Sequence, residues 1–358
     1  MQKPGSKRRQ RLLLVGSSAL LVGAIAVVTM NMASAQQDNG EQPHAAASCF
    51  VEELPYPDDS YMSFATAMDS TGAYIAGRTY PSDPEANFER QVLIWHEGDL
   101  TRVDISGEDQ LLGGINSSGD GAGSTYVDFR AVPILYRDGV VSELPYDREA
   151  AARDINDEGV VVGSNDAGQG RVPVYWEADA TAPVELELPE GYHNGDVFAI
   201  DEEGTKVGFV SRNDSGNRMH YLWTNEGEGI PLPMPNDASP TDGFAADITA
   251  GWVTGPVWNG DQAGASTVRW QPGDLAPETK SLEFVSAINE LGWIAGHESN
   301  RAAFANEAGV HTLPSIIDDP TATSNAIAIS GDGAILAGNA ETDPTEVHSF
   351  AAVRWTCQ

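Results

Sequence analysis

From residue 49 onward, apolar and polar positions alternate in short runs broken by Gly, Asn, Asp and Pro. A period of two bounded by turn formers predicts strands, not helices. One phrase recurs through these runs: a small residue, Ile, then Asn or Asp, a Gly a few positions on, and a short apolar stretch to a second Gly. Its clearest copy is Ala152-Arg153-Asp154-Ile155-Asn156-Asp157-Glu158-Gly159-Val160-Val161-Val162-Gly163. Related copies occupy 67–77, 114–123, 199–208, 247–255, 287–296 and 328–338, and the second glycines are spaced 46, 40, 45, 47, 41 and 42 residues apart. That is the period of a propeller blade.

Each phrase predicts a hairpin. Asn or Asp at the first turn position accepts a local backbone hydrogen bond, and the fourth-position Gly takes positive φ, as in a type I turn followed by a bulge glycine. The second strand is predicted to end at the second Gly. A third strand follows and closes on an aromatic, Trp95, Tyr136, Trp176, Trp223, Trp270 or Trp355, whereas the sixth copy has Phe304 and then Asn306 in the Trp position. Large aromatics at one repeating position read as packing between blades. A fourth strand often closes on Leu-Pro, as at Leu144-Pro145 and Leu313-Pro314, where an outer edge tolerates Pro.

The last copy lacks its fourth strand, yet Val51-Glu52-Glu53-Leu54-Pro55-Tyr56 matches Val141-Ser142-Glu143-Leu144-Pro145-Tyr146 almost letter for letter. The fold expected is therefore all-β, a seven-bladed β-propeller closed by an N-terminal strand that completes the last blade. Closure places the two cysteines, Cys49 and Cys357, on adjacent antiparallel strands. A disulfide between them is expected.

The phrase resembles the HAF family of extracellular repeats, Ala-x-x-Ile-Asn-x-x-Gly-x-Val-Val-Gly followed by His-Ala-Phe-x-Trp. Ile155-Asn156 through Val161-Val162-Gly163 is similar to the first half, and His220-Tyr221-Leu222-Trp223 and His348-Ser349-Phe350 to the second. The likeness spans 49–357, although five of the seven copies lack the histidine. It implies secretion and a propeller-like fold, and carries no catalytic residue.

Ahead of the repeats, Lys3, Lys7, Arg8, Arg9 and Arg11 precede an apolar run from Leu12 to about Met30 and the small-residue pattern Ala33-Ser34-Ala35. This is the layout of a secretory signal peptide over 1–35, followed by a polar linker over 36–48 and the propeller over 49–358. The expected location is extracellular; the alternative is an uncleaved helix retained in the membrane. Cleavage would remove five of the 20 Lys and Arg and no acid, taking the net charge from −33 to −38. Such a field repels nucleic acid and anionic membranes.

No motif for chemistry emerges. There is no Gly-x-Ser-x-Gly elbow and no calcium-binding Asp ladder, and the seven histidines (His44, His96, His193, His220, His297, His311 and His348) have no i,i+4 or His-x-His pair, hence no metal-ligand spacing. No metal site and no cofactor are expected, calcium at an acidic loop being the one exception considered. Loop acids are plentiful: Asp58-Asp59, Glu108-Asp109, Asp147, Asp242 and Asp318-Asp319 between blades, and Asp83, Glu85, Glu341 and Asp343 within them. These longer loops all emerge on one face, opposite the uniform Asn-x-x-Gly turns, so a local function is expected on that variable face. Asp154 and Asp247 stand where other copies have Ala or Gly, on strands facing the channel, and are candidates for holding a cation or a ligand amine. The functional expectation is a monomeric, secreted, non-enzymatic binding module for a protein, a glycan or a cation. The alternative is an extracellular, glycan-directed hydrolase or lyase using loop carboxylates.

Overall fold

A computed structural model describes residues 48–82, 90–168, 170–212, 218–235, 243–258, 265–273, 275–280, 282–346 and 349–358. The expected leader and all of the linker except Ser48 lie outside them. Among the described residues the secondary structure is strand and turn, arranged as seven four-stranded antiparallel sheets. The first strands are Ser60–Met68, Glu108–Ile115, Ala150–Ile155, Asn194–Ile200, Asp247–Thr249, Phe284–Ile288 and Ser324–Ile329. Each touches the first strand of the next sheet, which makes this set the inner wall of a ring. The sheets are blades 1 to 7, and the molecule is a seven-bladed β-propeller.

Ring closure follows the sequence expectation. Cys49–Glu53 pairs antiparallel with Phe350–Cys357 as the outer strand of blade 7, with Cys49 directly opposite Cys357. The two form a disulfide across Cα atoms 4.0 Å apart. Gln358 and Ser48 exchange backbone hydrogen bonds beside it, so the cysteines occupy the closer, non-hydrogen-bonded kind of pair.

The repeated turn also forms as expected in most blades. The fourth-position glycines Gly72, Gly119, Gly159, Gly204, Gly292 and Gly333 have φ between 71° and 81°. Gly159 N–H, for example, donates to Asn156 O at 3.0 Å. Blade 5 departs: its turn has two residues, Ala250 and Gly251, both at positive φ (48° and 76°), the type I′ geometry of a tight hairpin.

The second glycine does not end the second strand. In blade 1 that strand runs Tyr74–Pro81, past Gly77, and in blade 3 it runs Val161–Asp166, past Gly163. The reason for Gly lies across the sheet. Inner strands carry a β-bulge, as between Ala65 and Ala67 and between Ala152 and Asp154, which turns a carbonyl toward the opposing strand. A Cβ at Gly163 would lie 2.0 Å from Ala151 O, and one at Gly208 would lie 2.0 Å from Asp196 O. Only hydrogen fits there.

The apolar core lies between blades. Trp176, for instance, is buried with Leu144 and Ala122 of blade 2 and Val161 and Val174 of its own blade. Leu-Pro proves to be part of this seam. Leu144 N–H still donates to Pro133 O in the third strand, at 3.0 Å, and the next carbonyl, Pro145 O, accepts the Trp176 indole N–H at 2.7 Å. The same bond joins Trp95 to Pro55, Trp223 to Glu187, Trp270 to Pro233 and Trp355 to Pro314. Five inter-blade seams are thus closed by one indole each, which satisfies the only polar atom of a buried Trp side chain.

Candidate functional site

Small residues at one inner-strand position, Ala67, Gly114, Ala199, Ala287 and Ala328, leave the channel open and line a cavity of about 480 Å³. The other two residues at that position are Asp154 and Asp247. The structure therefore brings both candidates to one wall-lined space. Each is tied into the next blade: Asp154 Oδ2 accepts Ile200 N–H at 3.0 Å, and Asp247 Oδ2 accepts Ile288 N–H at 2.8 Å while its Oδ1 accepts Ile248 N–H at 2.9 Å. Burial pushes both carboxyls up to about 7, against the opposing pull of those N–H groups, and the charge of Asp247 raises Asp154 further.

Toward the Asn-x-x-Gly turns the same cavity is lined by Asp157, Asp201, Glu202, Glu203 and Glu290. With Asp154 and Asp247 that makes seven acidic residues, and among the described residues no Lys, Arg or His lines the space. The carboxylates are linked through backbone donors: Ser117 N–H bonds to Asp157 Oδ1 at 2.8 Å, and Asp157 N–H to Glu202 Oε2 at 2.9 Å. Burial is the main cause holding Asp201 and Glu202 above the ordinary carboxylate range, with neighbouring acids adding to it.

The turn residue itself is a blade-to-blade contact that its sequence role as a local cap does not reveal. Asn156 Oδ1 caps its own turn at Val160 N–H (2.9 Å), while Nδ2 donates to Asp201 O of blade 4 at 3.3 Å. Asn116 and Asn289 donate likewise to Asn156 O and Ser330 O, both at 3.0 Å. Asp201, which cannot donate, accepts Gly251 N–H of the next blade at 3.3 Å. The sequence signal for this was a position that is polar in all seven copies: Asp69, Asn116, Asn156, Asp201, Thr249, Asn289 and Ser330.

The acidic cavity thus extends to turns of the uniform face, whereas the sequence points to the variable one. Several variable-face acids are engaged locally. Asp109 pairs with Arg78 at 3.0 Å and with Arg90, and lies in the inner strand of blade 2, not in a loop. Asp59 pairs with Arg102 at 3.2 Å, and Asp147 with Arg148 at 3.5 Å. Asp319 and Asp343 accept bonds from Thr321 and Thr345, which hold both carboxyls below their ordinary value. Asp83, Glu85, Asp242, His44 and His348 lie outside the described residues. Among those described, no three His, Cys, Asp or Glu converge as a metal group, and no helix is long and apolar enough to cross a membrane.

No family model matches the chain, and no curated protein does. Solved propellers do. The chain superposes on an oligogalacturonate lyase from Vibrio parahaemolyticus with a TM-score of 0.55 and 11% identity, covering 86% of this chain and 93% of that one. An oligogalacturonate lyase in complex with manganese gives a TM-score of 0.53 at 10% identity, covering 88% and 95%. TolB from Acinetobacter baumannii gives 0.48 at 10%, covering 81% of this chain, which spans 64% of the length of that TolB. At these identities the likeness is one of fold.

Proposed function

We propose that this chain is an exported, non-enzymatic binding module whose channel receives an organic cation, an ammonium or guanidinium group presented by its ligand. The observation that carries this is the composition of the channel wall: seven acidic residues and, among the described residues, no basic side chain around about 480 Å³. Low-dielectric walls of one sign concentrate ligands of the other. The leader-like sequence pattern and the Cys49–Cys357 disulfide support export, since disulfides persist in oxidising compartments. The alternative, a glycan-directed hydrolase or lyase using loop carboxylates, is supported only by the likeness of fold to oligogalacturonate lyases at 10–11% identity.

Calorimetric titration with spermidine, and separately with calcium chloride, at pH 8 and low salt tests the reading. Saturable spermidine binding is expected, weakened at least tenfold in the Asp157→Asn/Glu202→Gln variant. Absence of spermidine heat, or calcium binding of equal strength and equal sensitivity to that variant, would overturn it.

A further inference from the structure

On the opposite, long-loop face, a second cavity of about 430 Å³ lies chiefly between blades 3 and 4, with Ala131 of blade 2 at its margin. Its wall has a different character from the channel's. Arg171 and Arg218 line it, with Asn194, Phe209 and Ser164. In a chain with 53 acids and 20 basic residues, two arginines meeting at one concavity need an electrostatic reason.

Beneath the cavity, Asp196 is 1% exposed and its Oδ2 accepts both Arg153 Nη2 at 3.0 Å and Arg171 Nη1 at 3.2 Å. Two cations share this one carboxylate, so Asp196 by itself does not neutralise both. Arg171 is the outer of the two, its side chain 56% exposed. Arg218 supplies a second positive charge: its guanidinium stacks over the Phe209 ring at 4.5 Å, and no carboxylate among the described residues pairs with it. A guanidinium held over a ring face keeps nitrogens free to donate, and their forked geometry suits an oxyanion.

Two carboxylates, Glu149 and Asp166, also line the cavity. Glu149 Oε1 takes Ala131 N–H at 3.3 Å and Asp166 Oδ1 takes Gly168 N–H at 2.6 Å, so each carboxylate keeps a second oxygen for a donor. These acids repel a bare anion but suit one that also carries hydroxyl groups. The volume lies in the range of small-molecule sites.

We infer that the cavity between blades 3 and 4 binds a small hydroxylated oxyanion, a sugar acid or a sugar phosphate, with Arg171 and Arg218 on the anionic group and Glu149 and Asp166 on the hydroxyls. It is separate from the channel and independent of what the channel binds.

The test is a thermal-shift and calorimetric series on the exported chain with sodium glucuronate, glucose 6-phosphate, glucose and sodium acetate. Glucuronate or glucose 6-phosphate should bind saturably, the responding one identifying the anion as carboxylate or phosphate, whereas glucose and acetate should bind at least tenfold more weakly. Arg218→Ala should weaken the responding ligand at least tenfold while leaving spermidine binding unchanged. Arg218→Lys, which keeps the charge and loses the fork, should give an intermediate loss and serves if the Ala variant does not fold. The inference is overturned if neither hydroxylated anion binds, if acetate binds equally well, or if both Arg218 variants bind as the parent does.

Discussion

The indole N–H of Trp176 donates to Pro145 O, the last residue of the preceding blade's Leu-Pro, at 2.7 Å. The Trp is fully buried, so its indole N–H has no access to water and needs this acceptor. Trp176→Phe removes the donor and part of a large apolar side chain, leaving the carbonyl unpaired. The expected loss is about 2–4 kcal/mol by denaturant unfolding. A loss below about 1 kcal/mol would show that the seam is held by Leu144 and its neighbours alone.

Two glycines separate steric need from conformational need. Gly163 is in ordinary extended strand, but a Cβ there would meet Ala151 O at 2.0 Å; Gly168 has φ of 76° and open space around it. Gly168→Ala should cost about 1 kcal/mol, the strain of a left-handed Ala. Gly163→Ala must flatten the inner-strand bulge or part the strands, and should cost at least about 3 kcal/mol. Equal effects on the melting temperature would refute the role assigned to the bulge.

The Cys49–Cys357 bridge spans 308 residues. In the chain-entropy model a loop of this length contributes roughly 5–6 kcal/mol by restricting the unfolded chain, with native strain and residual structure reducing it. Cys49→Ser/Cys357→Ser should therefore lose at least about 2 kcal/mol and yet remain folded, because the ladder of Cys49–Glu53 on Phe350–Cys357 and the Trp95–Pro55 bond still hold the ring closed. Near-ultraviolet circular dichroism and urea unfolding of the variant would decide both points.

Asp154 and Asp247 are pushed from 3.8 up to about 7 in the folded protein. Both bind protons more tightly folded than unfolded, so the stability they contribute is complete below pH about 4 and is lost as pH rises through about 7. Asp154→Asn/Asp247→Asn should flatten the fall in melting temperature between pH 4 and pH 7. An unchanged slope would mean that other groups carry the dependence.

The ring, its closure and its disulfide could all be read from the letters. A repeat of roughly 44 residues shows itself by self-comparison, and the match of 51–56 to 141–146 names the missing strand without any coordinates. Asp154 and Asp247 were legible too, as charges in a column of Ala and Gly, and their meeting in one cavity followed once the inner strands formed a wall. The extent of the second strands was not. Gly163 marks a strand's midpoint because a carbonyl on another strand occupies its Cβ position, and no local pattern records that.

What the sequence determined by itself is whatever is periodic and local: strand alternation, turn chemistry, blade number and the pairing of the chain's two ends. Tertiary structure alone decided which polar groups meet across blade boundaries, Trp176 with Pro145, Asn156 with Asp201, and Arg171 with Asp196. Those partners lie about 25 to 45 residues apart. Their encounter depends on how closely two independently folded sheets pack, a property of side-chain volume and ring curvature that no single repeat contains.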